Sequence, residues 1–388
     1  MVPGNEAGFG LYIHWPFCQS KCPYCDFNSH VAGWIDQRRW LQSYLAEIDR
    51  AGQETAGLRL RSVFFGGGTP SLMDPETVFA ILDRIRATWP VANDWEVTLE
   101  ANPGSTEAGK FQAFRAAGVN RLSMGVQALN DADLKRLGRL HTLADAMAAF
   151  DIARACFDRV SFDLIYARQD QTPEDWAQEL SRALDMAVDH LSLYQLTVED
   201  GTAFGDRYAR GGLRGLPDED QSVALYEITQ ELCEDAGLPA YEVSNHARDG
   251  AQSQHNLIYW RGGDYAGVGP GAHGRLTLGG HRWATEALRP PAAWLDAVEK
   301  RGTGELPRDE IAPVDRAREY ILMSLRLNEG LDLARLQAIS GLSLPPAAVT
   351  DLCSLNLITV DEGRVQTTRQ GRMVLNAVIR RLAEGLQP

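Results

Sequence analysis

Cysteine is scarce in this chain, with 6 residues in 388. That excludes a disulfide scaffold, which small secreted folds build from a far higher cysteine density. Long apolar runs are missing as well, and no stretch approaches the roughly 18 consecutive residues that a membrane helix needs. The first residues, Met1-Val-Pro-Gly-Asn-Glu, lack the basic start and apolar middle of a secretory signal. Positive charge is in deficit: Lys plus Arg number 38 against 52 Asp plus Glu, a formal net charge of −14. A protein that tracks a phosphate backbone needs the opposite balance, so nucleic acid is not an expected partner. What is present is ordinary globular material, 44% hydrophobic and 23% charged. It suffices for a large core and is too apolar for disorder. A reducing, cytoplasmic location is the expectation. At about 150 residues per domain, the length suggests two or three domains.

The few cysteines are unevenly placed. Cys156, Cys233 and Cys353 stand alone in helix-like patterns and read as core thiols. Cys18, Cys22 and Cys25 instead crowd into Tyr12-Ile-His-Trp-Pro-Phe-Cys18-Gln-Ser-Lys-Cys22-Pro-Tyr-Cys25-Asp-Phe27. Pro16 and Pro23 keep this Cys-x3-Cys-x2-Cys run out of a helix. In a reducing compartment such a group reads as metal-binding. Three thiolates suit an iron–sulfur cluster. With no fourth cysteine nearby, one iron of a four-iron cluster would stay open to a small molecule. The alternative is a structural zinc site completed by His14 or His30.

Short apolar runs alternate with helical patterns along most of the chain. Strands are expected at Gly10–His14, Ser62–Phe65, Trp95–Glu100, Arg121–Val126, Val160–Ile165, Leu191–Leu196 and Ala240–Val243. Helices are expected at about 35–57, 75–89, 106–117, 143–156, 173–188 and 218–236. Asp74 before Pro75, Thr172 before Pro173, and Ser105 before an acidic turn are start signals; Gly118 and Gly237 are stop signals. The spacing implies an α/β fold with a parallel sheet, either doubly wound or a full or partial (β/α) barrel, with its chemistry at the C-terminal strand ends. A boundary falls near Arg289-Pro290-Pro291, giving a main domain over 1–290, a linker over 291–310 and a second domain over 311–388. There, helical patterns at 313–328 and 331–340, a hairpin over Leu357–Thr367 turning at Glu362-Gly363, and a closing helix suggest a small winged-helix-like module. Its 9 Lys/Arg against 8 Asp/Glu favour a structural or docking role over DNA binding.

The strand ends carry polar residues in succession: Gly66-Gly67-Gly68-Thr69-Pro70, Glu100-Ala-Asn102-Pro103, Gly125-Val-Gln127 and Asp163, with Arg139 shortly after Gln127. The glycine run is neither a P-loop nor a dinucleotide fingerprint. The cysteine spacing, with Tyr24 between the second and third cysteines, resembles the radical SAM superfamily. In that superfamily the open iron of a [4Fe–4S] cluster chelates S-adenosylmethionine (SAM). Together with Gly-Gly-Gly-Thr-Pro-Ser, Glu-Ala-Asn-Pro and Ser-Met-Gly-Val-Gln, the chain resembles the oxygen-independent coproporphyrinogen III oxidase-like family over nearly its whole length. The resemblance implies a partial barrel with a winged-helix-like C-terminal domain. It implies cluster ligation by Cys18, Cys22 and Cys25 and contacts to cluster-bound SAM from Tyr12, Gly67 and Glu100. Gly68, Thr69, Gln127, Arg139 and Asp163 match positions that serve a second SAM in the oxidase.

Two departures from the oxidase stand out: Phe27 replaces a further cysteine, and the N-terminal segment is short. His255-Asn-Leu-Ile-Tyr259-Trp260 instead resembles a heme-binding motif of the family's heme chaperones. Histidine ligates heme iron and tyrosine is an alternative axial ligand; Tyr259 and Trp260 are candidate packing surfaces for the macrocycle. That resemblance implies heme as cargo and a heme-acceptor protein, membrane-bound or respiratory, as partner. The alternative is a catalytic radical SAM enzyme that oxidises coproporphyrinogen or transfers methyl groups. The Gly-rich run from Arg261 through His273 reads as a loop beside the motif, and neither His246 nor His273 is given a ligand role.

Overall fold

The computed structural model describes residues 7–105 and 108–387. The signal reading at residues 1–6 and the cap reading at Ser105, which depends on residues 106–107, lie outside the described residues.

The first half runs β1 (Phe9–Trp15), β2 (Phe17–Cys18), β3 (His30–Val31), α1 (Gln37–Glu54), β4 (Leu60–Gly67), α2 (Pro75–Thr88), β5 (Val91–Ala101) and α3 (Ala108–Ala117). It continues through β6 (Arg121–Gln127), α4 (Asp131–Arg136), α5 (Leu143–Cys156), β7 (Arg159–Tyr166), α6 (Pro173–Met186) and β8 (His190–Gln195). Then come α7 (Ala203–Ala209), α8 (Glu219–Asp235), β9 (Asn245–Ala247), α9 (Gln254–Trp260), β10 (Asp264–Val268), β11 (His273–Leu278), β12 (His281–Glu286), α10 (Pro291–Arg301) and β13 (Asp309–Glu310).

Among the described residues, eleven strands form one sheet in the order β13-β12-β11-β10-β1-β4-β5-β6-β7-β8-β9. Strands β1, β4, β5, β6, β7 and β8 are parallel neighbours in chain order. A doubly wound sheet reverses its order at a switch point; a barrel does not. The sheet ends in antiparallel strands at both sides and does not close, which makes it a partial barrel. Strand β1 shows why these segments pair: Phe9, Leu11, Ile13 and Trp15 are fully buried on one face, as a strand covered on both sides requires. Helix starts are fixed by reciprocal capping boxes at Thr142/Asp145, Thr172/Asp175 and Asp218/Gln221.

Two expectations change here. Ala240–Val243 forms only an isolated bridge to His246, because Tyr241 and Glu242 turn into side-chain hydrogen bonds inside the barrel. The Gly-rich run after Arg261 contains strand β10, which pairs parallel with β1 and opens a meander through β12. Beyond it, α10 packs Trp294 against Trp40 of α1, ring centroids 5.5 Å apart and nearly coplanar, so residues 291–301 belong to the barrel's core.

The C-terminal part is built from α11 (Pro313–Ser324), β14 (Leu331–Asp332), α12 (Leu333–Ser340), α13 (Pro346–Ser354), β15 (Ile358–Asp361), β16 (Arg364–Thr367), α14 (Arg369–Met373) and α15 (Leu375–Ala383). It has its own core around Ile321, Leu336, Val365 and Val378. The hairpin turns at Glu362-Gly363, both with positive φ, as expected. Helix α13 carries Cys353, expected as a core thiol in a helix-like pattern, and corrects the core placement. Leu352 faces the core, so the adjacent Cys353 points outward and is exposed. Cys233 is buried, its thiol pushed up to about 12 by desolvation, and Cys156 is half-buried against the core.

Candidate functional site at the open end of the barrel

The loop that follows β1 folds back over the C-terminal strand ends, held by the β2–β3 pairing of Phe17 with His30 and Cys18 with Val31. Cys18, Cys22 and Cys25 are free thiols, each half-buried. All three line one cavity of about 150 Å³. Donors face the sulfurs: the Thr69 hydroxyl donates to Cys18 at 3.4 Å, an Arg139 N–H donates to Cys22 at 3.3 Å, and Ser29 lies 3.8 Å from Cys25. Burial pushes the Cys18 and Cys25 thiols up, so three thiolates here require a cationic group to hold them. This donor set fits an iron–sulfur cluster.

It does not fit the zinc alternative. His14 is held between the Tyr12 hydroxyl and the Asn28 carbonyl, both at 3.0 Å, and His30 bonds the Asn28 side chain on the outside.

The same cavity collects Gly67, Gly68, Thr69, Glu100, Gln127, Arg139 and Asp163, seven of the eight residues expected to contact SAM. Gly68 lies so close to the loop that a Cβ would sit 2.6 Å from the Phe17 carbonyl oxygen. The Gly67 N–H donates to Glu100 at 3.3 Å, and Arg139 donates to the Gly125 carbonyl at 2.8 Å. Gln127 holds a positive φ of 75°, a strained conformation for a non-glycine residue. Burial lifts Glu100 from 4.5 to about 8, with repulsion from Asp163 adding. Asp163 is lifted to about 6 by burial, opposed by hydrogen bonds from Ser192 and Ser123. A buried Glu100 that holds its proton up to about 8, beside the less strongly lifted Asp163 and an Arg-supported wall, suits a ligand carrying an ammonium group, whose arrival would ionise Glu100.

Tyr12, the eighth residue, lines an adjoining cavity of about 400 Å³ that shares Phe27, Gly67 and Glu100 with the first. His14, Asn28, Tyr265, His273 and Arg289 also line it, and none of them was expected to contact SAM or heme. Their signal was hidden because His273 opens β11, inside a run read as loop.

The three residues of the heme-like motif face three ways. His255 is 1% exposed and enclosed in the barrel, stacked on Phe64 at 5.2 Å. Its Nδ1 shares a 2.8 Å hydrogen bond with Ser62, and its Nε2 a 2.6 Å bond with the Tyr259 hydroxyl. Burial and the charge of Arg121 lower it to about 3, so it is a neutral imidazole. Glu96 anchors this end of α9, accepting from the Ser253 hydroxyl, the His255 amide and Arg159. Tyr259 forms a wall of the 400 Å³ cavity, its ring 4.4 Å from that of Tyr265. Trp260 packs toward Tyr241, Ala247, Ala251 and Leu327.

Residues 12–183 match the radical SAM superfamily and residues 311–374 the HemN C-terminal domain. The chain is 38% identical over 388 residues to radical S-adenosyl methionine domain-containing protein 1, mitochondrial, of Mus musculus, covering 97% of this chain and 88% of that protein. It is 36% identical over 374 residues to the heme chaperone HemW of Escherichia coli (strain K12), covering 95% and 96%. Among solved structures, the coproporphyrinogen III oxidase (HemN) of Escherichia coli, a radical SAM enzyme, superposes with a TM-score of 0.81 at 22% identity, covering 99% of this chain and 91% of that one. That likeness supports the partial-barrel fold.

Proposed function

The chain belongs to the heme chaperone HemW family of radical SAM proteins, and on that premise we propose that it binds heme and hands it to a heme-requiring acceptor protein. The radical SAM family implies a [4Fe–4S] cluster and SAM. In this proposal Cys18, Cys22 and Cys25 hold the cluster. When bound, the cluster offers an open iron that chelates the amino and carboxylate groups of SAM. The remaining work falls to the chain. Glu100, ionised, accepts from the SAM ammonium, and Gly67 brings the strand-end backbone close. Tyr12 buttresses His14, which ties the loop to Asn28. Thr69 and Arg139 donate to cluster sulfurs, while Gln127 and Asp163 close the inner wall. His255 and Tyr259 of the heme motif shape the neighbouring cavity, and Trp260 anchors the motif's end.

The observation that carries this reading is the shared wall. The cavity holding the three cysteines and the aromatic-lined cavity of about 400 Å³ have Phe27, Gly67 and Glu100 in common. That volume lies in the range of ligand sites, and a cargo held there would lie beside the cluster. The division into a main domain begun over 1–290 and a module over 311–388 belongs to the same proposal, with the connection over 291–310 packing on the barrel through α10, as does a cytoplasmic location. Among the described residues no helix is long and apolar enough to cross a membrane.

The test is an anaerobic heme titration of the cluster-loaded protein. A saturable Soret band at about one heme per chain is expected; a linear, unsaturated response contradicts the proposal. A second reading, a catalytic enzyme, is favoured by the buried Glu100–Asp163 pair beside the cysteines. Anaerobic incubation with SAM, dithionite and coproporphyrinogen III tests it, and formation of protoporphyrinogen would support it.

A further inference from the structure

We propose that His273, and not His255, is the side chain that ligates the iron of bound heme, in the 400 Å³ cavity at the barrel mouth. This rests on the reading of the chain as a heme carrier and names the site on it.

Iron ligation needs an imidazole nitrogen that faces open space. His255 has none, because one nitrogen is bonded to Ser62, the other to Tyr259, and the Phe64 ring covers a face. A planar macrocycle has no room beside a residue that is 1% exposed. His273 meets the requirement. It opens β11, its side chain is 58% exposed, and it lines the cavity that Tyr12 and Glu100 also line. Glu286 lies opposite it in the β11–β12 register, with a carboxylate oxygen 3.9 Å from Nε2. That is too far for a hydrogen bond; a rotation of these two exposed side chains would close it, and a carboxylate bonded there orients a ligating imidazole and raises its basicity.

The rest of the cavity suits a porphyrin. Tyr259 and Tyr265 supply an aromatic wall and Phe27, 60% exposed, a second apolar one. Arg289 lines the cavity, exposed, with no ion pair among the described residues, and is available to a propionate. In this arrangement His255 is a positioning residue: its bond to the Tyr259 hydroxyl sets the angle of the ring against which heme rests. Phe27 also acquires a role, since an apolar side chain stands between cluster and cargo where the oxidase has cysteine.

The experiment is a heme titration of the full-length, cluster-loaded protein and three variants, His273→Ala, Arg289→Ala and His255→Gln, read by Soret position, EPR spin state and affinity. Circular dichroism and cluster absorption serve as folding controls. His273→Ala is expected to shift the Soret band, change the spin state and weaken binding by about tenfold or more. Added imidazole should restore the original spectrum, which a merely structural role would not allow. Arg289→Ala should weaken binding of heme but not of its dimethyl ester. His255→Gln should keep the axial-ligand spectrum. If the parent protein binds heme and His273→Ala leaves spectrum and affinity unchanged, the assignment is overturned while the carrier reading stands. Loss of the ligand signature in His255→Gln alone overturns it too. If the parent protein takes up no heme, the carrier reading itself fails.

Discussion

Replacing Glu100 with Gln removes a titration that the fold makes costly, and the size of the effect follows from where the side chain lies. Enclosed beside Asp163, Glu100 holds its proton up to about pH 8, whereas the unfolded chain releases it near 4.5. Between those values the folded protein binds a proton that the unfolded chain does not. Stability therefore falls as pH rises, by ~1.4 kcal/mol per pH unit. The penalty is ~2 kcal/mol at pH 6 and ~5 kcal/mol at pH 9. Glu100→Gln keeps the shape and lacks the penalty. In denaturant unfolding of the apoprotein, the variant should therefore gain ~3 kcal/mol on the parent between pH 6 and pH 9. It should also lose SAM affinity, because only the ionised carboxylate pairs with the ammonium. In the parent, SAM binding should strengthen as pH rises toward 8. Parallel stability curves for the two proteins, with SAM binding indifferent to pH, would refute the reasoning.

Gly68→Ala forces a methyl group 2.6 Å from the Phe17 carbonyl oxygen, which is backbone and cannot step aside. The variant should fold yet reconstitute with most of its iron and sulfide missing, as a metal assay will read. Trp294→Ala removes the stacked partner of Trp40 and leaves a cavity at the α1–α10 contact. Denaturant unfolding should show a loss of about 3–5 kcal/mol. Cys353 is the exposed thiol outside the cluster loop. In cluster-loaded protein it should react first with a thiol reagent, and Cys353→Ser should abolish that fast phase; an unchanged fast phase would place reactivity elsewhere.

The βα repeat was readable because each parallel strand is buried on both faces and so appears as an apolar run, and because Asp74 before Pro75 and Thr172 before Pro173 mark helix starts. The β10–β12 meander was not readable, because glycine interrupts it. At Gly267 a Cβ would meet the His273 carbonyl oxygen at 2.2 Å, and at Gly269 it would meet that of His14 at 2.4 Å. These are close approaches between strands that look like loop residues in sequence. At the site, residue types and strand-end positions, with the family resemblance, singled out the three cysteines and seven of the residues expected to contact SAM, and these line one cavity. Residue type could not reveal whether a histidine nitrogen is free. His255 sits in a recognisable motif with both nitrogens bonded, while His273, at the end of a glycine-rich run read as loop, has the open face.

The central claim is that this radical SAM barrel carries heme and passes it on. It is tested most directly by loading the anaerobic, cluster-containing protein with one equivalent of heme, adding a heme-depleted apoprotein acceptor, and following the Soret band. The account predicts that the band leaves the spectrum of this protein and reappears with the acceptor's character, at a rate that rises with acceptor concentration. Heme that stays on this protein, or that leaves at a rate indifferent to the acceptor, would contradict it.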